Sequence, residues 1–239
     1  MKNNIVVRQA HHPEQSRRAS LKKDLIAACR ILSHEELVRG FGHVSARVPG
    51  TDLFLLTPRV SLALVKEKDL LTMNLQGKIV EGRSTPPSEV ALHAAMFNQR
   101  ADVQAITRIH ARKANYFSVT NTRIEPIHNH GSFFHGGVPV FFKTPLITTR
   151  TLGEEVAKAM GKNPAILLRG NGQVTVGRTI PEAVMMAIYL EEAADMLYGA
   201  LQLGTPVFLG AEEYGLAKTE TLTPVDLERA WNYYKSRLP

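Results

Sequence analysis

The segment Gly42-His43-Val44-Ser45-Ala46-Arg47-Val48-Pro49-Gly50-Thr51-Asp52-Leu53-Phe54-Leu55-Leu56 decides how the chain is read. Val44, Ala46 and Val48 alternate with His43, Ser45 and Arg47, the two-residue period of a strand with one apolar and one polar face. Pro49-Gly50-Thr51-Asp52 has turn chemistry, and the apolar run after it predicts the second strand of a hairpin.

Working outward, Leu21, Leu25, Ile26, Cys29 and Leu32 recur at helical spacing behind a capping Ser20, with Gly40 marking the end of that helical region. Residues 1–19 are polar and aperiodic, which predicts an arm that is loose or packs on a neighbouring subunit. Downstream, residues 70–80 read as a second hairpin through Gln76-Gly77. A helix is expected to open near Thr85, with Pro86 in its first turn and Glu89, Leu92, His93, Met96 and Phe97 following. Strands are expected over residues 103–110 and 138–142, and a helix over 151–160 stopped by Gly161. A third hairpin turns at Asn171-Gly172. Thr179-Ile180-Pro181-Glu182 has capping-box spacing and opens a long helix that Gly204 ends, and Thr223-Pro224 opens a last one containing Leu227, Trp231 and Tyr234. Hairpin-connected strands with covering helices, and no repeat or long linker, predict one α/β domain over residues 20–239.

Composition excludes several classes of function. The 239 residues are 44% hydrophobic and 21% charged, with 13 Pro and 17 Gly, which argues against disorder. The single Cys29 excludes a disulfide framework or cysteine metal cage and fits a cytoplasmic protein. No apolar run reaches the roughly 20 residues of a membrane span, and the N-terminus has no signal-peptide core. The net charge of +7 is scattered, and the one Trp is not interleaved with basic residues, so an anionic small molecule is expected rather than nucleic acid.

Strand periodicity puts Arg108 and His110 on one face, where a guanidinium and an imidazole can fix a carboxylate and move a proton. The plain alternative is a surface Arg and a His at the edge of the core. Glu89, read in a first helical turn with His93 one turn on, is either a general base or simple charge complementarity to the helix start. His43, Ser45 and Arg47 share a polar strand face behind Gly40-Phe41-Gly42, a turn able to present N–H groups to an anion. His128, His130 and His135 cluster in a Gly-rich loop whose spacing matches no standard metal signature.

As a set, Gly42-His43-Val44-Ser45-Ala46-Arg47, Leu55-Leu56-Thr57-Pro58, Ser88-Glu89-Val90-Ala91-Leu92-His93, Arg108-Ile109-His110, Leu168-Arg169-Gly170-Asn171-Gly172 and Leu190-Glu191-Glu192-Ala193-Ala194 resemble the class II aldolase/adducin family over residues 20–205. The resemblance implies a three-layer α/β/α domain with a largely antiparallel sheet, a homotetramer, and an active site at a subunit interface. It also implies chemistry that breaks carbon–carbon bonds next to a carbonyl. The string around His43 looks more like the decarboxylase branch than the sugar-phosphate branch, which more often has Asn there, so a carboxylate substrate is expected. The family's acid/base Glu falls on Glu89, and its three metal-holding His positions fall on Arg108, His110 and Asn171.

Arg has no lone pair for a metal, and Asn is a poor ligand for zinc or manganese. The expectation is therefore a carbon–carbon lyase, a decarboxylase or retro-aldolase, with Arg108 standing where the metal would and Asn171 donating to the same oxygen. Glu89 and His110 would move protons, and His43, Ser45, Arg47 and Thr57 would orient the substrate carboxylate. Two other readings are open: a non-catalytic binding or scaffold member, and a relocated Zn, Mn or Fe site in which His110 joins His128 or His130.

Overall fold

The hairpin forms as read: β1 (His43–Arg47) and β2 (Leu53–Leu56) pair antiparallel, with Ser45 opposite Leu56 and Arg47 opposite Phe54. A computed structural model of the chain describes residues 13–143, 146–220 and 223–239. β3 (Leu71–Asn74) and β4 (Ile79–Glu81) extend the sheet beyond β2, and β5 (Ala105–Ile109) lies antiparallel on the other side of β1. Then come β8 (Gln173–Gly177), β7 (Ala165–Leu168) and β6 (Val140–Phe141), giving the order β4-β3-β2-β1-β5-β8-β7-β6. β6 and β7 alone among the described strands run parallel, and they are the pair joined through a helix, α4 (Arg150–Met160). Parallel neighbours need such a crossover, whereas antiparallel ones need only a turn.

Both sheet faces are buried. Val44, Ala46, Leu55, Ile109 and Leu167 share one core with Leu25, Cys29 and Leu32 of α1 (Pro13–His34), Val184 and Ile188 of α5 (Ile180–Leu203), and Trp231 of α7 (Pro224–Ser236). Phe54, Leu56, Met73, Ile106, Ile166 and Val174, offset by one residue along the same strands, share a second core with Leu92, Met96 and Phe97 of α2 (Val90–Gln99) and with Val156 and Met160 of α4. Each fully buried Val, Leu, Ile, Phe or Met side chain among them stabilises the fold by about 2 kcal/mol.

The helix ends differ from expectation for identifiable reasons. α1 starts at Pro13, not Ser20, so residues 13–19 of the expected arm are helical; residues 1–12 lie outside the described residues. Its early turns are fixed by polar contacts that hydrophobic periodicity does not reveal: Arg18 donates to Thr72 Oγ1 at 2.7 Å and pairs with Glu81. α1 also stops at His34, well short of Gly40, because Glu36 enters the left-handed region at φ 56° and Leu37 and Val38 turn their N–H groups back to the Leu32 carbonyl. α2 begins at Val90 rather than near Thr85, since Pro87 disfavours the helical conformation at Pro86. Glu89 is thus the residue that precedes the helix. The short helices α3 (Arg112–Phe117) and α6 (Ala211–Glu220) and the 3-10 segment Asn129–Phe134 lack the long apolar stripe that would have announced them.

The β7–β8 turn approaches β5 very closely. Gly172 has φ +78°, and a Cβ there would lie 2.1 Å from the Ile109 carbonyl oxygen and 3.0 Å from the His110 Cα. Gly172→Ala is expected to cost roughly 3 kcal/mol or more from strain and overlap combined, read as a lowered urea midpoint with unchanged slope.

Candidate functional site

Antiparallel pairing sets His43 directly opposite Arg108, so both side chains emerge on the same face at the same end of the sheet. Gly42 lets the chain pass here: a Cβ on it would lie 2.5 Å from Val38 Cγ2 and 3.2 Å from the Arg108 carbonyl oxygen. The residue preceding α2 brings in Glu89, the end of β5 brings in His110, and the close β7–β8 turn brings in Asn171. Together they line a pocket of about 560 Å³ with Phe41, Pro58, Arg59, Ser61 and Leu146.

The floor is a buried ion pair. Arg108, 1% exposed, sets Nη2 3.1 Å from Glu89 Oε2, and Glu89 is 5% exposed. The other carboxylate oxygen accepts from the Ile147 N–H at 3.1 Å. Burial by itself would raise the Glu89 carboxyl, but the hydrogen bond from His43, the Arg108 charge and the Ile147 N–H outweigh it and hold the pKa down at about 2. Arg108 Nη1 lies 3.0 Å from His110 Nε2. Because a guanidinium only donates, that nitrogen must carry the lone pair, and Nδ1–H is left to donate to the Phe41 carbonyl at 3.1 Å. Partial desolvation and the Arg108 charge push the His110 pKa below the ordinary imidazole value, so the ring is neutral near pH 7. Asn171 Oδ1 stands 3.2 Å from that same Nε2, a contact between two acceptors. The amide is better oriented with Nδ2 toward the ring.

Behind the floor runs a chain of hydrogen bonds whose direction chemistry fixes. The Glu89 carboxylate can only accept, so His43, whose Nε2 lies 3.4 Å from Oε2, presents N–H there. A neutral His43 then has its lone pair on Nδ1, 2.6 Å from His93 Nε2, which must donate. His93 Nδ1 is accordingly an acceptor for the Ser45 hydroxyl at 2.6 Å. Burial lowers the pKa of both imidazoles, His93 far below its usual value, and the neutral state is the one this wiring requires. The polar face of β1 is therefore polar because α2 closes over it with a histidine, not because water reaches it.

Of the residues expected to orient substrate, His43 reaches the pocket and three do not. Ser45 is fully buried behind His93. Arg47 sits at the far end of β1, donates to the carbonyls of Phe97, Val103 and Arg100, and stacks on the Phe97 ring. Thr57 Oγ1 accepts from the Val44 N–H and holds the β1–β2 pairing. For Ser45 and Arg47 the reason is that strand alternation predicts a face but not what covers it, and for Thr57 that the motif does not show its hydroxyl turned back to β1. His128 and His130 do not line the pocket, and His110 is absent from their cluster. Pocket residues overlooked in the sequence include Arg59 and Ser61. Their signal was weak, a basic residue directly after the Leu55-Leu56-Thr57-Pro58 motif.

The donor set at Arg108, His110 and Asn171 does not fit a divalent metal. One imidazole nitrogen is available, and a permanent positive charge already occupies it from 3.0 Å.

The model of the class II aldolase and adducin N-terminal domain matches residues 23–198. The chain belongs to this family. It is 30% identical over 195 residues to the 3,4-dihydroxyphthalate decarboxylase of Arthrobacter keyseri, covering 74% of this chain and 77% of that one. It is 31% identical over 178 residues to the L-fuculose phosphate aldolase of Methanocaldococcus jannaschii, covering 73% and 94%. Among solved structures, the L-fuculose 1-phosphate aldolase from Glaciozyma antarctica PI12 superposes with a TM-score of 0.84 at 24% identity, over 96% of this chain and 92% of that one, which places the fold. In this class II aldolase family member the pocket floor presents Glu89, Arg108, His110 and Asn171.

A carboxylate depressed in the folded state stabilises the fold above its unfolded pKa of about 4.5 and loses that contribution as the pH falls toward 2. Urea midpoints measured from pH 6 to pH 2 are expected to fall more steeply for the wild type than for Glu89→Gln. The difference should accumulate below pH 4.5 to about 3 kcal/mol.

Proposed function

We propose that the protein is a carbon–carbon lyase acting on a small carboxylate substrate, a decarboxylase or retro-aldolase whose electrophile is Arg108 rather than a metal. The observation that carries this reading is the buried Arg108 guanidinium held between Glu89 and His110 at the floor of the pocket. The decarboxylase relative and the His43 position support the carboxylate, which the exposed Arg59 at the rim can receive without disturbing the neutralised floor.

The oxygen next to the scissile bond would sit at the floor, where Arg108 and the Asn171 amide donate to it. As the bond breaks, its electron pair moves onto that oxygen as an enolate, and fixed donors in a water-poor site stabilise the developing charge. In retro-aldol cleavage Glu89 takes the substrate hydroxyl proton, an aldehyde leaves, and the same proton is returned to the enolate carbon. In decarboxylation CO2 leaves and the carbon takes a proton from solvent, which His110 relays from the pocket mouth. His93 acts as a positioning residue: by donating to His43 it keeps His43 N–H aimed at Glu89.

The two cores on opposite sheet faces support a three-layer α/β/α arrangement, and the packing of α7 with α1 and α5 supports one domain over residues 20–239. The proposal extends to a homotetramer with the pocket near a subunit boundary, which would cover the exposed Phe41 and Leu146 at the pocket. No described helix is long and apolar enough to cross a membrane, which accords with a cytoplasmic enzyme.

The test is a panel of hydroxy-aromatic acids, keto acids and sugar phosphates assayed for CO2 and aldehyde release with chelator present. Turnover of a carboxylate that persists in chelator and falls at least about 1,000-fold in Arg108→Ala is expected. Turnover that chelator abolishes, or that Arg108→Ala leaves unchanged, would remove Arg108 from the mechanism. No turnover together with no ligand-induced thermal shift would favour the scaffold reading.

For the active substrate, kcat should decline on the acid side with a midpoint below the ordinary imidazole value of 6.5, because protonating His43 or His110 breaks the wiring of the floor. His93→Gln should move that midpoint and lower kcat about tenfold or more while leaving KM nearly unchanged.

A further inference from the structure

A second polar cluster lies apart from the pocket, where the 3-10 segment Asn129–Phe134 crosses α5. His130 Nδ1 stands 3.0 Å from Glu192 Oε2, and ligand-capable atoms of His128, His130 and Glu192 all lie within 4.8 Å of one another. A separation near 3 Å suits two ligand atoms that are each about 2.0–2.1 Å from a shared ion.

His128 supplies a second, independent observation. Both of its ring nitrogens are buried and neither has a hydrogen-bond partner. An imidazole always carries at least one N–H, and a neutral ring also carries a lone pair, so two unmet nitrogens are costly unless something else fills the space. Gly131 closes over the Nδ1 edge, where even a Cβ would lie 3.2 Å away. A simple His130–Glu192 ion pair leaves this ring unexplained.

The surroundings hold the donors in place. The His130 ring stacks on Tyr189 at 4.3 Å, Tyr189 stacks on Phe133, and Glu192 Oε1 accepts from the Tyr234 hydroxyl at 3.5 Å. Orientation of ligands by such outer contacts is what metal sites require.

We propose that His128, His130 and Glu192 bind one divalent transition ion of the zinc class, with solvent completing the coordination, and that this ion ties the 129–134 segment to α5. Two imidazoles and one carboxylate form a donor set suited to zinc. His110 takes no part in this cluster, which lies apart from the pocket that His110 lines.

The experiment uses full-length protein purified without nickel, stripped with chelator and exchanged into metal-free buffer. Zinc titration by calorimetry should give one equivalent per chain and a saturable rise in Tm, and cobalt should give the visible d–d bands of a low-coordinate site. Affinity should fall at least tenfold in His130→Ala and in Glu192→Gln and stay unchanged in His110→Ala. Glu192→Gln keeps shape on the helix surface and serves should the His130 variant fail to fold. Absence of stoichiometric binding by the wild type would overturn the site, as would binding that survives both substitutions or is lost only in His110→Ala.

Discussion

A guanidinium that is 1% exposed must be answered by charge and hydrogen bonds, and the answer in this protein organises the site. Arg108 cannot give up its proton to escape burial, so Glu89 must stay ionised beside it, and that carboxylate dictates the tautomers of the rings behind it. Removing one member of such a pair leaves an uncompensated charge, whereas a partner exchanged as a unit can be neutral. The Arg108–Glu89 pair is therefore better understood as a device that fixes orientation than as a net source of stability.

The register of the sheet brings these groups together. β1 and β5 are neighbours in space but far apart in sequence, and their antiparallel register alone puts His43 beside Arg108. The turn glycine at 172 lets Asn171 close the pocket from a third strand pair. None of these residues is adjacent in the chain, yet each leaves the same end of the sheet, where loops rather than ladder hydrogen bonds limit what can change.

Much of this was legible in the sequence. The alternation around Val44, the turns at 49–52 and 171–172 and the capped helices at 180 and 224 all report local rules, and the structure follows them. Arg108 and His110 were readable as neighbours from strand period alone. What stayed hidden depends on tertiary cover. Ser45 and Arg47 read with His43 as one polar strand face until His93 of α2 and the carbonyls at the end of α2 are placed against them. The start of α2 was misread because two consecutive prolines look like a helix opening and act as a delay. The short helices between residues 112 and 134 are held by contacts to α5, which no local pattern contains.

Those contacts carry one more implication. Glu191, with its pKa raised by burial, accepts from the Lys113 and Ala114 N–H groups at 2.7 and 2.8 Å, while the next residue, Glu192, meets His130. Successive positions on a helix point about 100° apart. Two adjacent codons thus fasten the two ends of residues 113–130 to one rod, although little of the stretch between them is regular structure. A single-residue insertion upstream in α5 would turn both anchors away together, so this excursion can drift in composition but hardly in its attachment.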